Sequence, residues 1–482
     1  MNIELLHNIK NCNILVFGDY MVDEYIIGSV NRISPEAPVP VIEVTKETKK
    51  LGGAGNVINN IISLGGQVKV IGCIGKDSAG DFIMEHFKNN KVNTAYFKQY
   101  KNTSTIIKTR VVSKNQQFLR IDEEKKDPIL DEYVSFLKSN IDSILNKINV
   151  LIISDYAKGA VTKEVSQFLI REAKKRNVPV IVDPKGNDYS KYKGATICTP
   201  NLKELSDLYN IKVVEESDIT KYGSKLCNEI DLDYLLLTRS EKGISLVDKK
   251  KNKKDFPAVA IEVIDVSGAG DTVVATVALL LSLNYSIDDI CRLANLAASV
   301  VVSKFGTATV SLNELICSIS NSGEFKIQNI DTLKYIAEDL REKGKKIVFT
   351  NGCFDIFHVG HLRYLKESAK YGDVLIIGVN SDKSVKRLKG NNRPIVNEDE
   401  RMELLSSLSF VSYVVKFDED TPYELIKNIK PDIITKGGDY NPNTVVGKDI
   451  VEEYGGKVVI CPLIGNKSTT NIIEKILEIY HE

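Results

Sequence analysis

Short apolar runs recur along the first half of the chain, each separated from the next by longer amphipathic stretches. Ile14–Phe17, Val68–Ile71, Val150–Ile153, Val180–Val182 and Tyr234–Leu237 have the length and β-branched content of buried strands. Between several of them the period becomes helical. Thr162–Lys175 places Val165, Phe168 and Leu169 on one face, with Thr162 as N-cap. Strand and helix patterns alternating in this way predict an α/β architecture with parallel sheets. Tyr25–Val44 and Thr105–Ile121 read as extended ribbon instead, the first carrying Pro35, Pro38 and Pro40. Ribbon inserted into a doubly wound domain is expected to form a lid over the ligand-binding edge of the sheet.

The pattern is interrupted at Ser318-Ile319-Ser320-Asn321-Ser322-Gly323, which predicts domains at 1–318 and 332–482 joined by a linker at 319–331. Asp331 is expected to cap a helix that buries Leu333, Ile336, Ala337 and Leu340 and stops at Gly344. A strand pattern follows at Lys346–Thr350, then a turn, then a helix pattern with Leu362, Leu365 and Ala369. The two halves share no obvious similarity, so the chain reads as a fusion rather than a repeat.

Composition narrows the classes of function. Lys plus Arg and Asp plus Glu number 64 each, so no net field directs the chain to nucleic acid or an anionic membrane. The run Lys249-Lys250-Lys251-Asn252-Lys253-Lys254 reads as a solvated hairpin tip. No signal-peptide pattern opens the sequence, and no apolar run reaches the roughly 18 residues of a membrane span. The eight cysteines form no Cys-x-x-Cys pair, which suggests reduced thiols and a cytoplasmic protein.

Candidate chemistry lies at turns between strands and helices. Asn351-Gly352-Cys353-Phe354-Asp355 leads from a strand to His358-Val359-Gly360-His361, which opens a helix. Unpaired amides and the positive end of the helix dipole favour a phosphate there, and imidazoles can donate to a phosphoryl oxygen. Earlier in the chain, Asp265-Val266-Ser267-Gly268-Ala269-Gly270-Asp271-Thr272 also opens a long apolar helix. Its glycines let amides converge on an oxyanion, with Asp271 placed to take a proton from an incoming hydroxyl. Gly52-Gly53-Ala54-Gly55-Asn56 is a second glycine cluster opening a helix. Asp19, Asp23, Asp155, Asp183-Pro184-Lys185 and Thr199-Pro200-Asn201-Leu202-Lys203-Glu204 follow predicted strands and are expected to converge on one crevice.

On these paired glycine signatures, roughly residues 10–316 resemble the ribokinase-like, phosphofructokinase-B type sugar kinases. The resemblance implies a doubly wound domain with a β lid and a catalytic base at Asp271, with Gly268, Ala269 and Gly270 as anion hole. It implies ATP contacts at Lys185, Asn201, Leu202, Lys203, Glu204, Thr238, Arg239, Ser240 and Gly243, with Glu204 acting on Mg2+ through water. Sugar contacts are implied at Asp19, Asp23, Gly53, Asn56 and Asp155. Ser267 departs from the Thr that members commonly carry, but the hydroxyl survives.

The second half is similar to the cytidylyltransferase-like nucleotidyltransferases, which implies a smaller Rossmann-like α/β domain. Nucleotide contacts are then expected at Asn351, Gly352, Phe354, Asp355, Gly360, Lys436, Gly437, Ser468, Thr469 and Thr470. His358 and His361 would act on the α-phosphate, and Lys386 would screen the leaving triphosphate tail.

The order of the two halves resembles the bifunctional heptose kinase/adenylyltransferases of bacterial lipopolysaccharide-core biosynthesis. Members phosphorylate D-glycero-β-D-manno-heptose 7-phosphate at its anomeric hydroxyl with ATP and, after a separate phosphatase, adenylate the heptose 1-phosphate. Arg110 and Arg120, on the ribbon, are candidates to receive the 7-phosphate. A homodimer is expected from the ribbon's open edge. Two alternatives stay open: the same folds acting on another sugar phosphate or with CTP, and a non-catalytic nucleotide sensor.

Overall fold

The computed structural model describes residues 3–461, apart from 114–115, 126, 212–214, 259–262, 305, 322–325, 439–440 and 442–443, together with residue 479. The chain divides into two compact units, Met1–Leu315 and Ile316–Glu482.

The first unit contains β1 (Asn13–Gly18), β2 (Tyr20–Ile33), β3 (Pro40–Gly53), β4 (Gln67–Gly75), β5 (Asn93–Tyr100), β6 (Ile106–Ser113) and β7 (Gln116–Glu123). It continues with β8 (Val150–Ser154), β9 (Val180–Asp183), β10 (Ile197–Cys198), β11 (Tyr234–Thr238), β12 (Ile244–Asp248) and β13 (Lys253–Phe256). Among the described residues these make a nine-stranded sheet in the order β13-β12-β11-β10-β9-β8-β1-β4-β5. The seven strands from β11 to β5 are parallel; β12 and β13 extend the sheet antiparallel. Parallel strands need cover on both faces, and the all-apolar run of β8 is buried throughout. Leu15, Phe17, Leu151, Ile153, Val180, Leu235 and Leu237 belong to one core. Thr162 caps the helix Lys163–Lys175 by accepting from Val165 N–H, as its sequence position suggests. The lysine-rich run forms the β12–β13 hairpin tip.

The ribbon segments pair with each other. β3, β2, β6 and β7 make a separate four-stranded sheet in that order, with β2 and β6 parallel. This is the expected lid. One face carries Asp23, Tyr25, Lys108, Arg110, Arg120 and Asp122 as cross-strand neighbours.

Register sets the position of the functional loops. Gly18 pairs with Ser154, Ser154 with Asp183, and Asn201 with Thr238, so four strand ends lie along one edge of the sheet. The helices Ala54–Ser63 and Ala269–Ser282 are tied by a buried hydrogen bond, Thr272 Oγ1 to Asn60 Oδ1 at 2.8 Å.

The second unit, among its described residues, has six parallel strands: β14 (Ile327–Gln328), β15 (Ile347–Gly352), β16 (Val374–Asn380), β17 (Tyr413–Phe417), β18 (Ile433–Gly437) and β19 (Lys457–Cys461). Their order is β14-β17-β16-β15-β18-β19. Val348, Leu375, Ile377, Val379, Val414 and Ile433 form its core. Two local expectations differ from the structure. Within the stretch read as a linker, Ile327–Gln328 pairs with β17. The helix Ile330–Glu342 is capped by Asn329, which accepts from Thr332 N–H; Asp331 sits in its first turn, where a carboxylate favours the dipole instead.

Candidate active sites

In the first unit, Asp271 lies in the first turn of the helix Ala269–Ser282 and is buried. Its Oδ2 accepts from Asn56 Nδ2 at 2.6 Å and its Oδ1 from the Tyr156 hydroxyl at 2.8 Å. Burial pushes its carboxyl up to about 6; the two hydrogen bonds oppose that shift and nearby Asp23 adds to it. Gly268 stands at φ 84°, and a Cβ there would come within 2.8 Å of Asn56 Nδ2. Glycine thus lets the helix start, the asparagine and the carboxylate share one small volume.

Asp19 serves that arrangement indirectly. Its carboxylate accepts from the amides of Tyr156, Lys158 and Ala160 at 2.8, 3.1 and 3.0 Å. It therefore builds the loop that carries Tyr156, and all three acceptor contacts are spent on backbone. Asp155 is similarly engaged, by Ala157 N–H, the Tyr192 hydroxyl and Lys191. Asp23, by contrast, lies beside the base and takes Arg110 Nη1 at 2.5 Å. Gly53 opens the helix that carries Asn56. Arg120 pairs with Asp122 two residues on, its side chain 53% exposed.

Along the same edge, Asn201 and Glu204 form a reciprocal capping box at the helix Leu202–Leu208. Glu204 also takes Lys185 Nζ at 2.7 Å, while Lys203 is exposed on the first turn. Asp183, at the end of β9, is half-buried beside Asp271 and Glu204, and its carboxyl is pushed well above its ordinary range, mainly by desolvation. Thr238 adjoins Asn201, and Ser240 and Gly243 shape the following turn. Arg239 turns away from this edge. Its guanidinium is buried among Glu216, Asp255 and Ser245, so it holds the β12–β13 hairpin instead of offering charge to a phosphate.

In the second unit, His358 caps the helix Val359–Ser368, its Nδ1 accepting from Gly360 N–H at 3.1 Å. That bond requires an unprotonated Nδ1, so the neutral ring carries its proton on Nε2. His361 stacks on it with centroids 3.9 Å apart, between Phe354 and Phe357. Burial first, then the neighbouring His358 and Lys389, hold His361 down at about 4, so it is neutral at pH 7. Lys436, at the end of β18, donates to Asn351 Oδ1 at 2.5 Å, and burial lowers it to about 8. Gly352 and Gly437 end the adjacent strands β15 and β18.

Lys386 and Lys389 are both exposed on the helix Asp382–Lys389, and Lys389, one turn on, acts on His361 and Cys353. One expectation is corrected here, that of Asp355 as a nucleotide contact. Asp355 is spent on the amides of Ile395 and Val396 at 2.7 and 3.0 Å and on Arg393. Arg401, a basic residue of the same region, is fully buried, binding Val396 and Cys353 carbonyls and Asp382. Ser468, Thr469 and Thr470 lie outside the described residues.

Comparison with known proteins places both units. Residues 12–314 match the pfkB family carbohydrate kinase model and residues 349–475 the cytidylyltransferase-like model. The chain is 46% identical to the bifunctional protein HldE of Geobacter metallireducens, across 100% of this chain and 99% of that one. It is also 46% identical to that of Aliarcobacter butzleri, across 97% and 98%. The chain belongs to the HldE family. Its fold over the first unit is that of Arabidopsis thaliana ribokinase complexed with ribose and ATP, with TM-score 0.52 and 20% identity over 64% of this chain and 98% of that one. HldE proteins thus join a carbohydrate kinase unit to a nucleotidyltransferase-like unit in one polypeptide.

Tyr156 is the site residue that sequence reading passed over. It follows a strand end, so its position was legible and its side-chain direction was not. Two outcomes follow from the second site. Arg401→Met leaves two carbonyls and Asp382 without their partner and should cost ~3 kcal/mol in denaturant unfolding of this unit; an unchanged midpoint would refute the clamp. Lys436 should titrate near pH 8, losing its charge above that value, when followed by NMR of methylated lysines. A Lys436 signal titrating above 10 would contradict its burial.

Proposed function

We propose that the first unit phosphorylates D-glycero-β-D-manno-heptose 7-phosphate at its anomeric hydroxyl with ATP. The second unit transfers AMP from ATP to the heptose 1-phosphate, giving ADP-heptose and pyrophosphate for the lipopolysaccharide core. A phosphatase on another chain removes the 7-phosphate between the steps. The observation that carries the kinase reading is the desolvated Asp271 carboxylate, oriented by Asn56 and Tyr156 beside the Gly268–Gly270 amides.

In the first unit, Asp271 takes the proton of the anomeric hydroxyl as the oxygen attacks the γ-phosphorus. The helix-start amides at Gly268, Ala269 and Gly270 receive charge on the transferring group. Lys185 lies toward the nucleotide side, with Asn201 and Thr238 shaping that wall. No group of three metal-ligating side chains is assembled among the described residues. Magnesium suits such a place, because it keeps its waters and binds through few carboxylates plus phosphate oxygens. Asp183 and Glu204 would hold it, and it would neutralise phosphate charge.

In the second unit the attacking oxygen belongs to a phosphate and is already anionic, so no base is needed. His358 offers Nε2–H to the α-phosphate, and the neutral His361 ring packs against it. Lys436 and Lys389 supply charge for the triphosphate. Leu119, Ile121 and Val44 stand 54%, 46% and 52% exposed on the lid, which supports a homodimer through that sheet. The described cysteines are all free thiols, which supports a cytoplasmic setting. No helix among the described residues is long and apolar enough to cross a membrane.

Asp271→Asn should abolish bisphosphate formation from heptose 7-phosphate while leaving pyrophosphate release from heptose 1-phosphate intact, and His358→Ala should do the reverse. Loss of both activities in either variant would sink the assignment. Because the base works ionised and its carboxyl sits at about 6, kinase kcat/KM should rise with pH through about 6 and level above it. A flat profile between pH 5 and pH 8 would remove Asp271 from the proton transfer.

A further inference from the structure

The loops that carry Tyr156 and Lys185 leave the sheet side by side, and one buried hydroxyl joins them. The ladder between β8 and β9 ends where Asp155 N–H donates to the Asp183 carbonyl at 3.0 Å. Beyond that point the two chains turn to different tasks, Tyr156 toward the base Asp271 and Lys185 toward Glu204. A second tie comes from the single-turn helix Tyr189–Tyr192. The Tyr192 hydroxyl donates to Asp155 Oδ2 at 2.7 Å and accepts from Lys185 N–H at 3.2 Å.

Each end of this tie is constrained. Asp155 is buried and is also taken by Ala157 N–H at 2.6 Å and by Lys191, so its carboxylate is held from three directions. Tyr192 is fully buried; burial first, then Asp155, push its phenol far above the ordinary range, and it stays a protonated donor. Lys185 and Gly186 belong to no strand or helix, so the tyrosine supplies the partner that regular structure would otherwise give the Lys185 amide. At its other end Lys185 is half-exposed and meets Glu204 at 2.7 Å, whose second oxygen accepts from Asn201 N–H at 2.9 Å. The neighbouring Tyr189 makes a natural contrast. Its ring packs edge-on against Tyr192 with centroids 5.4 Å apart, yet its buried hydroxyl has no hydrogen-bond partner among the described residues.

We propose that Tyr192 is a positioning residue for the nucleotide: its hydroxyl fixes Lys185 against Asp155, so that the Lys185 ammonium meets the triphosphate at a set distance from the base. The role rests on the kinase reading above and adds to it a residue that touches neither substrate. A shift of about 1 Å in a phosphate-binding cation is enough to matter, because transfer depends on alignment.

Steady-state kinase kinetics of Tyr192→Phe, Tyr189→Phe, Lys185→Met and the double variant Tyr192→Phe/Lys185→Met would be compared with the wild type. Tyr192→Phe keeps the ring and removes both hydrogen bonds of the hydroxyl. It should raise KM for ATP about fivefold to tenfold, with KM for heptose 7-phosphate and the acid limb of the pH profile unchanged. Tyr189→Phe should match the wild type. The double variant should be no worse than Lys185→Met alone, because both changes act through one ammonium. Equal losses for ATP and the sugar phosphate, or an equal effect of Tyr189→Phe, would show general loosening of the turn and overturn the proposal. Unchanged ATP kinetics in Tyr192→Phe or in Lys185→Met, or additive losses in the double variant, would overturn it as well. A wild type that phosphorylates no heptose 7-phosphate would remove the kinase reading and this role together, whereas a contrary result with an active wild type removes the role of Tyr192 alone.

Discussion

A carboxylate kept from water, yet held ready to accept a proton, constrains the whole first unit. Asp271 is reached by a side chain from the helix Ala54–Ser63, through Asn56, and by one from the loop after β8, through Tyr156. That loop is in turn pinned by three amides on Asp19, which follows β1. Four segments far apart in sequence thus converge on one acid. With the carboxyl raised from 3.8 to about 6, the native state loses stability as pH rises through that interval, at a cost of about 3 kcal/mol by neutrality. A structural acid would be expected to have a charged partner; this one has two neutral donors and other carboxylates nearby. Such expense is characteristic of a functional position.

The second unit handles phosphorus without a base. Its strand end and helix start supply amides, as in the first unit, but the side chains at the turn are neutral imidazoles. The Gly360 amide sets the tautomer of His358, and stacking with burial keeps His361 uncharged. The difference matches the two acceptors proposed: a hydroxyl must lose a proton, whereas a phosphate oxygen need not. One chain therefore uses the same backbone device twice and changes the side chains to suit the nucleophile.

Much of this was legible in the sequence because glycine clusters and strand ends are local features. The apolar runs at Ile14–Phe17 and Val150–Ile153 lie within β1 and β8, and the ribbon segments form the lid. What periodicity could not give was where polar side chains point. Asp19 looks like a sugar ligand by position, yet backbone amides in the loop after β8 take it up. Arg239 looks like a phosphate ligand, yet it is a buried clamp. The choice between Lys386 and Lys389 depended on how one helix rotates against β16. Tyr156 carried no signal beyond its place two residues after a strand, since its partner lies 115 positions away.

Identifying the products made from heptose 7-phosphate, ATP and magnesium by mass spectrometry, with and without the phosphatase, tests the two-site account most directly. The account predicts heptose 1,7-bisphosphate alone without the phosphatase, and ADP-heptose with pyrophosphate when it is added. Nucleotide sugar formed without the phosphatase, or no bisphosphate under either condition, would contradict it.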